Sequence, residues 1–132
     1  MDKQINKINN MYKGLKDLAA FQIGFILAME IFEISKSFPK EEKFSLTDQI
    51  RRSSRSVTSC IAESWAKRRY EKAFVSKLTE SLGEEYETEC WLDYTKDCKY
   101  IQIDNHERIL NEYDEVRKML ISIINNPEKW CL

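Results

Sequence analysis

The chain has 132 residues, of which 42% are hydrophobic and 33% charged, with three Gly, two Pro and a formal net charge of −1. That length is enough for one domain with a real core, and the composition excludes a disordered chain. The longest uncharged run, Leu18 to Met29, is far shorter than the ~20 residues a membrane-spanning helix needs.

Residues 1–11 are polar and rich in Asn and Lys, and read as a leader before a single domain over 12–132. A first helix is predicted from about Asp17 to Ser37. Leu18, Phe21, Phe25, Ala28 and Phe32 mark one stripe, which Ile23, Ile26, Leu27, Ile31 and Ile34 widen. So broad an apolar surface exceeds the ~100° that packing on one side would use, so this helix is either central or covered by a second chain. Phe38-Pro39 ends it, because proline cannot donate to the helical ladder.

Ser45 is expected to cap a second helix, with Asp48 in the capping-box position, and that helix runs to about Lys67. Leu46, Ile50, Val57, Ile61 and Trp65 recur at spacings of four and seven, which stacks them on one side. Arg51 and Arg55 fall on the opposite side, followed by the small Thr58, Ser59, Ala62 and Ala66. Ser53, Ser56, Cys60 and Ser64 form a second small-residue stripe, suited to close helix packing. A third helix over Glu71 to Cys98 has the stripe Phe74, Leu78, Ser81, Glu85, Thr88 and Leu92, polar in its middle. Buried Glu85 needs a cation, and Arg51 or Arg52 are the candidates. After a connection at Tyr100 to Asp104, a last helix starts near Asp104 or Asn105, carries Ile109, Tyr113, Val116, Leu120 and Ile123, and stops before Pro127. Four amphipathic helices with short connections predict an all-α, up-down-up-down antiparallel bundle. Phe21, Phe25, Ile50, Val57, Ile61, Trp65, Phe74, Leu78 and Trp91 are its expected core or subunit-packing residues.

Charge is distributed unevenly. Between Arg51 and Arg69 there are six cations (Arg51, Arg52, Arg55, Lys67, Arg68, Arg69) against Glu63 alone, whereas Glu71 to Lys99 holds eight acidic residues against four lysines. The six cations are candidate phosphate contacts, with Tyr70 or Trp65 available to stack on bases, and Lys67-Arg68-Arg69 is the better-placed run. The competing account pairs them with the acidic third helix, within or between subunits. Cys60, Cys90, Cys98 and Cys131 lack ligand spacing and His106 stands alone, so no metal or other cofactor is expected. No secretion signal is evident, which predicts reduced thiols and a cytoplasmic protein without membrane association. No nucleophile constellation or phosphate-cradling Gly-rich loop suggests an enzyme.

Several segments resemble one family. These are Leu15-Lys16-Asp17-Leu18 with Phe21-Gln22, then Phe38-Pro39, then Glu42-x-Phe44-x-Leu46-Thr47-x-Gln49-Ile50-Arg51-Arg52-Ser53-Ser54-Arg55-Ser56-Val57. Ile61-Ala62-Glu63-x-Trp65-x-Lys67-Arg68-Arg69-Tyr70, Phe74-Val75-Ser76-Lys77-Leu78, Glu87-Thr88 and Trp91-Leu92 follow in order. Over roughly Tyr12 to Met119 the chain is similar to the bacterial four helix bundle protein family, whose founding members are encoded by intervening sequences in 23S ribosomal RNA genes. That family includes the accessory variability proteins of diversity-generating retroelements. The resemblance implies a bundle protomer in a barrel-like homopentamer without a catalytic centre. In the retroelement branch it also implies association with a reverse transcriptase and its template RNA. This chain departs from the family pattern at Cys60 (usually Asn), Glu85 (often small and apolar) and Ser45 (Gly in many members), and it is near neutral where retroelement members tend to be basic. The leading expectation is a non-enzymatic oligomeric scaffold that binds structured RNA. The alternative is a protein-interaction module serving a reverse transcriptase or another operon partner.

Overall fold

The structure, a computed structural model, describes residues 14–132. The leader expected over 1–11 lies outside the described residues. Four helices carry the fold: α1 (Ala19–Ser35), α2 (Leu46–Ala66), α3 (Glu71–Asp97) and α4 (Ile103–Asn125). Single 3-10 turns lie at Leu15–Asp17, Lys40–Glu42 and Pro127–Lys129, and there is no strand among the described residues. Each helix packs on its neighbours in sequence and α4 closes onto α1, which is the antiparallel up-down-up-down bundle.

The core forms where the periodicity predicts it for three of the helices. Ile50, Val57 and Ile61 of α2, Phe74, Leu78 and Leu92 of α3, and Ile109, Tyr113, Val116 and Leu120 of α4 are buried together. Trp65 and Trp91 sit half-buried at its edge. For α1 the predicted stripe is rotated. Its buried residues are Ala20, Gly24, Leu27, Ala28, Ile31 and Ser35, whereas Phe25, Ile26 and Met29 face outward at 53%, 65% and 48% exposure. A helix that is apolar nearly all round offers no polar face to fix its rotation, so its small residues decide: Gly24 lies where an added Cβ would sit 3.1 Å from Thr58 Cγ2.

Small hydroxyl residues join α2 to α3. Ser81 Oγ donates to the Val57 carbonyl at 2.7 Å, and Thr88 Oγ1 donates to Ser53 Oγ at 2.9 Å, all within the buried seam. A side chain as short as serine reaches the next helix's backbone only if the two axes lie close. The small-residue stripe of α2 therefore packs as its composition predicts.

Glu85 belongs to this seam and is fully buried. Neither expected partner pairs with it: Arg51 bonds to Ser35 of α1, and Arg52 is exposed. Its nearest cation is Arg117 of α4, whose Nη1 is 3.8 Å away and already bonded to Glu89 at 2.8 Å, while its Nη2 holds Asp114. Neither carboxyl oxygen of Glu85 has a hydrogen-bond partner among the described residues, and the nearby buried Tyr113 hydroxyl also lacks one. Burial, reinforced by the neighbouring Glu89 carboxylate, pushes the Glu85 carboxyl up to about 9, so it is held as the neutral acid.

The helix ends differ in part from expectation. Ser45 makes no side-chain cap; its hydroxyl donates instead to Glu42 Oε1 at 2.6 Å, drawn away by the preceding turn. α4 begins at Ile103, with Gln102 in the cap position. α3 ends where Lys99 takes the left-handed conformation (φ 64°) and Tyr100 N–H bonds back to the Thr95 carbonyl at 3.0 Å. That position favours glycine, which has no Cβ to crowd the backbone.

Lys99→Gly is therefore expected to stabilise the fold by about 0.5–1 kcal/mol in urea titration. Glu85→Leu should stabilise it by about 1–3 kcal/mol by removing an unsatisfied buried group. The second effect depends on pH. Unfolded chains ionise at this position near 4.5 and the native chain only near 9, so the native state holds the extra proton between those values. Rising pH across that window erodes wild-type stability through Glu85. The advantage of Glu85→Leu should thus be larger at pH 8 than at pH 5, and a pH-independent difference would contradict this account.

Candidate nucleic-acid interface

The outward side of α2 carries the cations singled out above, divided between its two ends. Arg51 and Arg55, one turn apart, lean toward the C-terminal end of α1. The Arg51 guanidinium lies over the Phe32 ring at 4.9 Å from its centroid, and Arg55 lies over the same ring at 5.4 Å. Lys36 Nζ is 4.8 Å from it and pairs with Glu33 at 3.1 Å. Arg51 Nε donates to Ser35 Oγ at 2.7 Å, and Ser35 in turn donates to the Phe32 carbonyl at 2.9 Å. Arg52 points to solvent. None of Arg51, Arg52 and Arg55 makes an ion pair among the described residues.

About 22 Å further along α2, at its other end, are Lys67, Arg68 and Arg69. Lys67 and Arg69 are exposed, but Arg68 is half-buried. Its guanidinium packs on Trp65 at 4.3 Å, its Nε donates to the Trp65 carbonyl at 3.1 Å, and its own carbonyl accepts from Leu132 N–H at 3.0 Å. Trp130 completes this clasp, with its ring 5.9 Å from that of Trp65. Burial holds the Arg68 guanidinium below its ordinary value, a sign of structural use. The six cations thus form two clusters, and one member of the second is engaged in packing.

Among the described residues, no α2 arginine pairs with an α3 carboxylate. The contact between these helices has the reverse polarity: Glu63 of α2 pairs with Lys77 of α3 at 2.9 Å, and Lys77 also holds Glu80 at 2.7 Å. Glu84 is raised by burial and by the like charges of Glu87 and Glu80. Elsewhere Arg108 of α4 holds Glu30 and Glu112, the latter at 3.1 Å, and Lys118 holds Asp114 at 2.8 Å.

The other candidate groups have structural surroundings. His106 is buried against Asp93, with Nε2 to Oδ1 at 3.0 Å. Burial raises the Cys60 thiol, away from the reactive thiolate. No group of three His, Cys, Asp or Glu among the described residues could hold a metal ion, and no helix among them is long and apolar enough to cross a membrane. A groove of about 460 Å³ opens between the start of α2 and the end of α3, lined by Leu46, Gln49, Trp91, Tyr94 and Cys98.

Phe32, Ser35 and Lys36 join the basic cluster although the sequence reading assigned Phe32 to the apolar stripe and the other two to nothing. An aromatic residue with Ser and Lys three and four places on, at a helix C-terminus, is the only local sign of them.

Residues 16–122 match the family described as 23S rRNA-intervening sequence protein. A solved crystal structure from Bacteroides thetaiotaomicron, a protein of unknown function from the S23 ribosomal protein family, is similar at a TM-score of 0.74 and 33% identity. The match covers 83% of this chain and 98% of that one. No functionally curated protein matches. With the bundle and the sequence match in agreement over most of its length, the chain belongs to the 23S rRNA-intervening sequence protein family.

Proposed function

We propose that this chain is a non-enzymatic, oligomeric scaffold that binds structured RNA through the cationic surface of α2. The observation that carries the reading is the set of three α2 arginines, Arg51, Arg52 and Arg55, without a carboxylate partner among the described residues. Among the described residues, Glu33, Glu80, Glu89, Glu112 and Asp114 engage Lys36, Lys77, Arg117, Arg108 and Lys118 instead. Cations left open beside neighbours that are neutralised suit an anionic ligand, and phosphate backbones bind by neutralising such charges. Lys67 and Arg69 extend the surface toward the other end of α2. The family's name, which refers to an intervening sequence in 23S rRNA, agrees with RNA as the partner.

Assembly strengthens this reading. Phe25, Ile26 and Met29 expose an apolar strip on α1 that a second copy would cover. In a homopentameric ring the arginine cluster recurs five times, so modest single contacts add to a much tighter whole. A second reading, a protein-interaction module for a reverse transcriptase or another operon partner, draws on the groove beside Trp91 and Tyr94.

Light scattering should return about five times the 15.7 kDa protomer mass, with Phe25→Glu shifting it to monomer while helicity is kept. A monomeric wild type would remove the avidity argument. Wild-type protein should retain structured RNA at 50 mM salt and release it as salt rises. Arg51→Glu with Arg55→Glu should abolish retention at unchanged oligomer mass. No RNA binding at low salt would refute the reading, and a protein partner captured after nuclease treatment would favour the second one.

A further inference from the structure

Three cationic groups converge on one aromatic ring at the seam between α1 and α2. Lys36 Nζ, the Arg51 guanidinium and the Arg55 guanidinium lie 4.8, 4.9 and 5.4 Å from the Phe32 centroid. They are therefore within about 10 Å of one another, close enough to repel through little screening. Glu33 is the one carboxylate paired into the group, and it is committed to Lys36 at 3.1 Å. The C-terminal dipole of α1 accounts for one cation nearby but not for three on a single ring.

Arg51 is also fixed in orientation. Its Nε–H donates to Ser35 Oγ, and the Ser35 proton is given to the Phe32 carbonyl, so the buried serine, 3% exposed, serves only as an acceptor for the arginine. The ring face holds the guanidinium flat. What remains is the Nη1/Nη2 edge, with no partner among the described residues and four N–H groups in a fork. Such an edge matches two oxygens of a tetrahedral oxyanion. Arg55 stacks on the same ring, and its guanidinium has no hydrogen-bond partner among the described residues.

We propose that Arg51, Arg55 and Lys36, arranged around Phe32 and oriented by Ser35, form a built site for the oxyanion of a phosphate ester. Arg51 and Arg55 are the contacts, Lys36 adds charge, and Ser35 and Phe32 are positioning residues. The site adds Phe32, Ser35 and Lys36 to the cationic surface and ranks the Arg51 end of α2 above the Lys67–Arg69 end. It rests on the RNA reading for its macromolecular ligand. Its phosphate chemistry, which a free phosphate shares with a nucleic-acid backbone, stands apart and is tested separately.

The full chain is used in two arms. In the first, line broadening of the inorganic phosphate ³¹P resonance is followed at constant ionic strength. Wild type and a variant at the exposed Lys72 of α3, Lys72→Ala, should broaden the line equally, whereas Arg51→Lys and Ser35→Ala should broaden it much less, because the oriented fork is lost while charge is retained. In the second arm, anisotropy of a labelled structured RNA should show about tenfold weaker binding for Arg51→Lys. For Arg55→Ala the salt slope should fall by about 1. RNA binding that is intact in wild type but indifferent to both substitutions overturns the site and spares the RNA reading. Phosphate broadening that depends on Arg51, without RNA binding, supports the site for a free phosphate ester and overturns the RNA reading. A drop in oligomer mass for Arg51→Lys assigns these side chains to a subunit contact, and the site is then wrong.

Discussion

Across the α2–α3 seam the Ser81 hydroxyl donates to the Val57 carbonyl, and on the other flank of α2 the Gly24 backbone meets the Thr58 methyl. Both contacts demand that α2 lie close to its neighbours. With α2 held on two sides by small residues, its inward face is committed to Ile50, Val57 and Ile61 and its rotation cannot drift. Side chains at Arg51, Arg52 and Arg55 are then obliged to face outward or into the α1 seam. The cationic surface is thus a by-product of packing on the far side of the same helix. A larger residue at Gly24 or Ser81 would push α2 outward and disturb the arginines without touching them.

Much of this architecture was legible in the sequence. The register of α3 could be read even though Ser81, Glu85 and Thr88 interrupt its apolar stripe, because Phe74, Leu78 and Leu92 bracket them at helical spacing. α1 was harder: with apolar residues on every side, periodicity could not choose between Phe25 and Leu27 as the inward residue. Gly24 and Ala28 settled it through fit rather than hydrophobicity. Ser45 looked like a cap but found Glu42 first, a competition between local partners that spacing does not rank. The arginines stood out as cations, but Phe32 and Ser35 did not stand out as their supports. That link joins residues 16 or more apart across two helices and exists only after folding. Glu85 misled for the same reason, since its nearest cation comes from α4.

The charges sort by element. On α3 and α4, Glu80 pairs with Lys77, Glu112 with Arg108, Glu89 with Arg117 and Asp114 with Lys118. The other carboxylates of these helices balance the arginines only at a distance, so a near-zero net charge coexists with an open cationic edge. The buried Glu85 lies inside this network without being served by it. Arg117 is shared among three acids and reaches Glu85 only at 3.8 Å. Keeping the proton is the cheaper solution for Glu85 than drawing the guanidinium inward.

The clasp at the far end of α2 has a mechanical consequence. Trp130 stacks near Trp65, Cys131 is buried, and Leu132 N–H bonds to the Arg68 carbonyl, so the segment after α4 laces that end of the bundle shut. The opposite end is tied by other means: buried Phe38 packs against Tyr100 at 5.4 Å, and the Tyr100 hydroxyl donates to Glu42 Oε2 at 3.1 Å, which joins the α1–α2 connection to the α3–α4 connection. With both ends held by contacts between segments far apart in sequence, the helices open together rather than fraying one by one from either end.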